Sequence, residues 1–162
     1  MSTEKANRPV RVTGTIHTGL QVSDLEKSLR FYRDLLGFEV TATRVARESY
    51  LAELVGYPGV ELHVAFLRLP ASEHILELLE YRNVSRQPVD TGTANPGTAH
   101  LCVSVDDLRA VHRALCDAGV EFVSEPVLVT SGANKGRIAV YAKDPDGIRV
   151  EFLQLRPVEE VD

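Results

Sequence analysis

The chain has 162 residues, 44% of them apolar and 25% charged, with a net charge of −5. That is enough for one domain or two fused modules with a real core, and the negative balance argues against a broad nucleic-acid or anionic-membrane surface. No apolar run approaches the roughly 18 residues of a membrane span, the polar start MSTEKANRPVRVTG lacks the apolar segment of a signal peptide, and two cysteines without a CxxC spacing, Cys102 and Cys116, fit a reducing cytoplasm.

Residues 1–12 read as a flexible N-terminal tail. Residues 14–22 alternate as a strand does. Ser23 and Glu26 have the spacing of a capping box, and Leu25, Leu29, Tyr32 and Leu36 give the apolar stripe of a helix that Gly37 ends. Residues 38–44 read as a second strand. A short helical excursion over 48–56 is closed by Pro58 and Gly59. Residues 60–69 and 74–81 form a hairpin. The stretch 84–97 has no periodicity and reads as a linker. The order then returns: strand 98–105, helix 106–118 ended by Gly119, strand 120–123, and strands 137–143 and 148–154 joined by the turn DPDG. Residues 157–162 read as a C-terminal tail. This predicts an α+β protein of two βαβββ modules, 13–83 and 98–156.

The modules are copies of one pattern. An offset of 83 places His17 on His100, Val22 on Val105, Asp24 on Asp107 and Leu25 on Leu108. An offset of 82 places GFEV (37–40) on GVEF (119–122). The strands ILELLEY (75–81) and RVEFLQL (149–155) bring Glu77 onto Glu151.

Those four residues are the candidate site. A carboxylate facing the interior of a small domain is costly unless it is paired or holds a cation. Two imidazoles and two carboxylates at repeat-related positions point to one metal held by two ligands from each module: His17, Glu77, His100 and Glu151. Such nitrogen and oxygen donors suit Ni, Co, Zn, Mn or Fe(II) rather than a thiolate metal. Positions for water or substrate can stay open.

Four stretches, IHTGLQVSDLEKSLRFYRDLLGFEV, ILELLEY, TAHLCVSVDDL and YAKDPDGIRVEFLQ, resemble the vicinal oxygen chelate superfamily. It includes glyoxalase I, methylmalonyl-CoA epimerase, extradiol dioxygenases and the bleomycin- and fosfomycin-resistance proteins. The resemblance covers about 14–156. It implies paired βαβββ modules whose mixed sheets curl around a metal cleft, with His17, Glu77, His100 and Glu151 as ligands, and a homodimer. The four-ligand set is similar to that of glyoxalase I. The dioxygenases use two His and one Glu, and the epimerases commonly have Gln where Glu77 stands.

The activity this implies is a divalent-metal-dependent lyase or isomerase, acting on a small carbonyl or thioester substrate through a metal-stabilised enolate or enediolate. The metal would be Ni, Co, Zn or Mn, and Fe for the alternative of an extradiol-type dioxygenase. A metal-free binding or resistance protein is the third reading. The general base would be Glu151 in glyoxalase-like chemistry or Glu53 in epimerase-like chemistry. Cys102, two residues after His100, shares its strand face. Cys102, His63, Lys135 and Arg137 are candidates for contact with the substrate. His74 lies on the opposite face from Glu77, and His112 falls on a helix at the surface.

Overall fold

A computed structural model describes residues 10–156. Residues 1–9 of the expected N-terminal tail, and the tail expected at 157–162, lie outside the described residues. Residues 10–17 have no regular structure, and Val10, Val12 and Ile16 are exposed.

The first module runs β1 (Thr18–Gln21), α1 (Leu25–Leu29), β2 (Glu39–Ala46), α2 (Tyr50–Val55), β3 (Glu61–Arg68) and β4 (Ile75–Arg82). The second runs β5 (His100–Val105), α3 (Leu108–Asp117), β6 (Val127–Leu128), β7 (Ile138–Lys143) and β8 (Arg149–Gln154). Each forms one four-stranded mixed sheet, ordered β1-β4-β3-β2 and β5-β8-β7-β6. In both, the first strand pairs in parallel with the last and the other pairs are antiparallel. The two sheets remain separate and open, so the chain is α+β with a repeated βαβββ order.

β1 is shorter than the alternation of 14–22 predicts, because pairing needs a partner. β4 begins at Ile75, and the first register pair is Thr18 with Leu76. His17 therefore sits one residue before the ladder.

Helix starts repeat in detail. Asp24, not Ser23, caps α1: its Oδ1 accepts from Lys27 N at 2.9 Å. Asp107 Oδ1 accepts from Ala110 N at 2.9 Å in the same way. Each helix gets a second acceptor from its own sheet, with Leu25 N donating to Glu80 and Leu108 N to Gln154. These satisfy amide groups that a helix start leaves without partners. α1 continues into a wider π-helical turn over Arg30–Leu35, and Gly37 follows with φ +74°. That left-handed conformation favours glycine.

The strand expected at 120–123 is mostly replaced. Phe122 makes one bridge to Ala142, and the ladder against β7 is then made by Val127 and Leu128. Pro126 lies between them; it has no N–H to give a ladder. The segment 84–97 contains no helix or strand.

One core joins the modules. It is built from Leu29, Phe31 and Tyr32 of the first helical segment, Leu108 and Leu115 of α3, Ala65, Leu67, Leu76 and Leu78 of the first sheet, and Ile138, Val140, Ala142, Val150 and Phe152 of the second. Side chains alternate across a strand. This core therefore takes one face of each sheet, while on the other face of the first sheet Leu62 and Val64 pack with Ala46, Val60 and Leu51 of α2 in a second, smaller cluster beside Phe66. His112 is also part of this packing, contrary to its expected surface position. It falls four residues after Leu108, on the buried stripe of α3, and its ring lies 4.3 Å from that of Phe122.

Candidate functional site

Glu77 lies between Leu76 and Leu78 and Glu151 between Val150 and Phe152, all four of which face the core. Both glutamates consequently point to the outer face of their sheet. There each meets its histidine. His17 Nε2 is 3.1 Å from Glu77 Oε2, and His100 Nε2 is 3.2 Å from Glu151 Oε2. The histidine side chains are 41% and 45% exposed and the glutamates 15% and 18%. The carboxylates are anchored in the sheet, and the imidazoles stand open toward solvent.

The same neighbours recur around each pair. Phe66 stands opposite Glu77 on β3, and its ring meets His17 edge-on at 6.4 Å. Tyr141 stands opposite Glu151 on β7, and its ring meets His100 edge-on at 5.3 Å. Gly19 is the register partner of Glu77 on the other side, and Cys102 is that of Glu151. The Tyr141 hydroxyl donates to Glu151 Oε2 at 3.2 Å.

These pairs fit a divalent cation. Metal–nitrogen and metal–oxygen bonds of about 2.1 Å at a right angle separate two donors by about 3.0 Å. Both His–Glu separations are close to that value. Each pair nevertheless offers only two donors. Among the described residues no three His, Cys, Asp or Glu side chains come together to hold an ion. The reason is the shared core: it uses the inner face of each sheet, so the two pairs occupy separate outer faces.

The other candidates are placed as follows. Cys102 shares the outer face with Glu151, and burial, then the glutamate's charge, pushes its thiol up to about 11. It is therefore a poor nucleophile at neutral pH. His63 pairs in register with Glu80, three residues after Glu77, which puts it on the face opposite Glu77; its ring contacts Glu61. Glu53 is exposed on α2, whose buried residue is Leu51. Arg137 lies four residues before Tyr141 and donates to Asn134 in its own loop, and Lys135 is exposed beside it. His74 contacts Thr18, away from Glu77.

The profile of the Glyoxalase/Bleomycin resistance protein/Dioxygenase superfamily matches residues 14–152. The chain belongs to this superfamily. It is 31% identical over 140 residues to a probable lactoylglutathione lyase of Vibrio parahaemolyticus, covering 86% of this chain and 88% of that one. It is 29% identical over 139 residues to a lactoylglutathione lyase of Haemophilus influenzae, covering 86% and 90%. Among solved structures, a glyoxalase family protein from Bacillus cereus superposes with a TM-score of 0.74 at 16% identity, covering 90% of this chain and 96% of that one. The glyoxalase I of Leishmania major gives 0.63 at 21%, covering 89% and 88%. These structural likenesses concern the fold.

Phe66, Tyr141 and Gly19 were not found from the superfamily pattern or from the repeat. Their signal is register: each is a residue that strand pairing sets directly against a candidate ligand. Sequence spacing does not state a register until the strand ends are known.

Proposed function

We propose that two copies of this chain form a divalent-metal-dependent lyase or isomerase of the glyoxalase kind. His17 and Glu77 of one copy would face His100 and Glu151 of the partner subunit, giving two identical four-donor sites per dimer. The observation that carries this reading is the pair of matching His–Glu half-sites on separate outer faces. A two-fold dimer makes each kind of half-site meet the other twice. Two further features support it. β1 and β5, which carry or adjoin the histidines, are edge strands with one side free. Val10, Val12 and Ile16 are exposed at alternating positions, which suits a segment covered by a second copy.

The substrate class follows from the relatives' names and from the donors. It is the adduct of a thiol, glutathione first, with a 2-oxoaldehyde, rearranged to a 2-hydroxyacyl thioester. A divalent ion, when bound, supplies Lewis acidity to the adjacent oxygens of such a substrate. The chain's own residues do the rest. The outer faces, with Phe66 and Tyr141 beside the ligands, flank the reacting carbons. One glutamate accepts the proton from the sulfur-bearing carbon and returns it to the neighbouring carbon.

The test is thioester formation, followed by ultraviolet absorbance, after reconstitution with Ni, Co, Zn and Mn in turn. Turnover with at least one metal, lost on chelation, is expected. Oxygen uptake with a catechol and no thioester formation would overturn the reading in favour of an oxygenase. Absence of bound metal and of turnover in every case would leave a binding protein.

A further inference from the structure

Residues 10–16 precede β1 without regular structure, and they alternate. Val10, Val12 and Ile16 are apolar, Arg11, Thr13 and Thr15 are polar, and Gly14 lies between. The three apolar side chains are 71%, 85% and 80% exposed. This is the pattern of a strand with one apolar face and no sheet to lie in. It runs beyond the end of its own sheet, because β4 begins only at Ile75 and the ladder with β1 starts at Thr18. The second module carries a free edge. β5 ends its sheet, so the N–H and C=O groups on its far side have no ladder partner among the described residues. A groove of about 490 Å³ follows that edge. Residues 102–105 line it consecutively, so it runs along the strand rather than under one face, and Leu36, Phe38, Val111 and Leu115 form its apolar wall.

We propose that residues 10–16 of one copy add as an antiparallel strand to the free edge of β5 in a second copy, with Ile16 and Val12 set into the groove. This rests on the dimer proposed above. β1 and β5 are the same strand of the repeat, and an axis through a shared ion brings equivalent strands together antiparallel. His17 and His100 of the partner subunit share that ion, so they stand opposite each other. Counting away from them fixes the register. Ile16 falls opposite Leu101 of the partner subunit, Thr15 opposite Cys102 of the partner subunit, Thr13 opposite Ser104 of the partner subunit and Val12 opposite Val105 of the partner subunit. Opposed residues in a ladder point to the same face. Leu101, Val103 and Val105 pack toward the core, which sends Ile16 and Val12 to the apolar side. Thr13 and Thr15 join His17 on the outer face. A slip of one residue would turn the apolar side chains outward, so the alternation of 10–16 selects this parity.

The experiment uses the natural Cys102. T15C places a thiol opposite Cys102 of the partner subunit, and opposed Cα atoms in an antiparallel ladder lie about 4.5–5.5 Å apart, a span that a disulfide bridges. Oxidation of T15C with diamide is expected to give a covalent dimer on a non-reducing gel, and T15C with C102S is expected to give none. T13C, two residues along the same face, should link less than T15C. T13C with S104C, in a C102S background, is the second register pair and should link as T15C does. In sedimentation, V12D should weaken the dimer by about tenfold or more, and T13D should leave it within about threefold. A disulfide formed within one chain, a dimer band that survives C102S, stronger linking in T13C than in T15C, no linking in either register pair, or equal effects of V12D and T13D would overturn the proposal. A natural chain that sediments as a monomer in the presence of Ni, Co, Zn and Mn would instead overturn the dimer on which it rests.

Discussion

The Tyr32 hydroxyl donates to Asp144 Oδ2 at 3.0 Å, across 112 residues of sequence. This bond joins the helical segment of the first module to the DPDG turn of the second. Asp144 Oδ1 accepts from Asp146 N and Ile148 N, which shapes the turn, and Asp146 Oδ2 accepts from Ser23 N. The turn thus serves as the lock between modules as well as a hairpin end.

Burial pushes the Asp144 carboxyl up to about 6 from an ordinary 3.8, against the pull of its three hydrogen bonds. A carboxyl with a raised value in the folded state holds its proton more tightly there than in the unfolded chain. Its contribution is complete below about pH 4 and is lost as pH rises through about 6, on the order of 3 kcal/mol in all. The difference in unfolding free energy between the natural chain and D144N, measured in urea from pH 4 to 7, should shift in that direction over that window. Y32F removes a donor to the carboxylate and should destabilise the chain by about 1–2 kcal/mol above pH 6, with less effect at pH 4.

The two helix caps give a second expectation. D24A and D107A each remove an acceptor from a helix start and should each cost about 1 kcal/mol. The two caps share no hydrogen-bond partner, so the double variant should show the sum. Thermal unfolding of the three variants measures this.

The repeat is legible because it is written in residues of fixed chemistry: Asp24 with Asp107, Gly37 with Gly119, Glu77 with Glu151. Both glycines have positive φ and both aspartates cap. The capping residue is Asp24 rather than its neighbour Ser23, since both are good acceptors and only the backbone decides between them. The absence of a four-ligand cluster among the described residues is of another kind. The pattern states that the halves match. It does not state which faces they turn to each other. That is set by Leu76, Leu78, Val150 and Phe152 packing into one core, and an alternating strand reads the same whichever face is buried. His112 shows the converse, a polar residue on a buried helical stripe whose ring packs on Phe122.

Cys102 supplies a third expectation. With its thiol pushed up to about 11 by burial and by Glu151, in metal-free protein it should alkylate slowly at pH 8 and faster as pH approaches 11. E151Q removes the negative neighbour and should speed the reaction at pH 8. Peptide mapping after brief exposure to iodoacetamide reads this directly.

Glu77 and Glu151 supply the decisive case. Two variants, one lacking His17 and Glu77 and the other lacking His100 and Glu151, are made as alanine substitutions with different affinity tags, and the mixed dimer is isolated after co-expression. In a dimer that builds each site from two copies, one site keeps all four donors and the other keeps none. A shared site gives one divalent ion per mixed dimer and about half the natural turnover, with neither in the two parent variants. A mixed dimer without metal and without turnover, beside a natural protein that has both, would contradict the shared site.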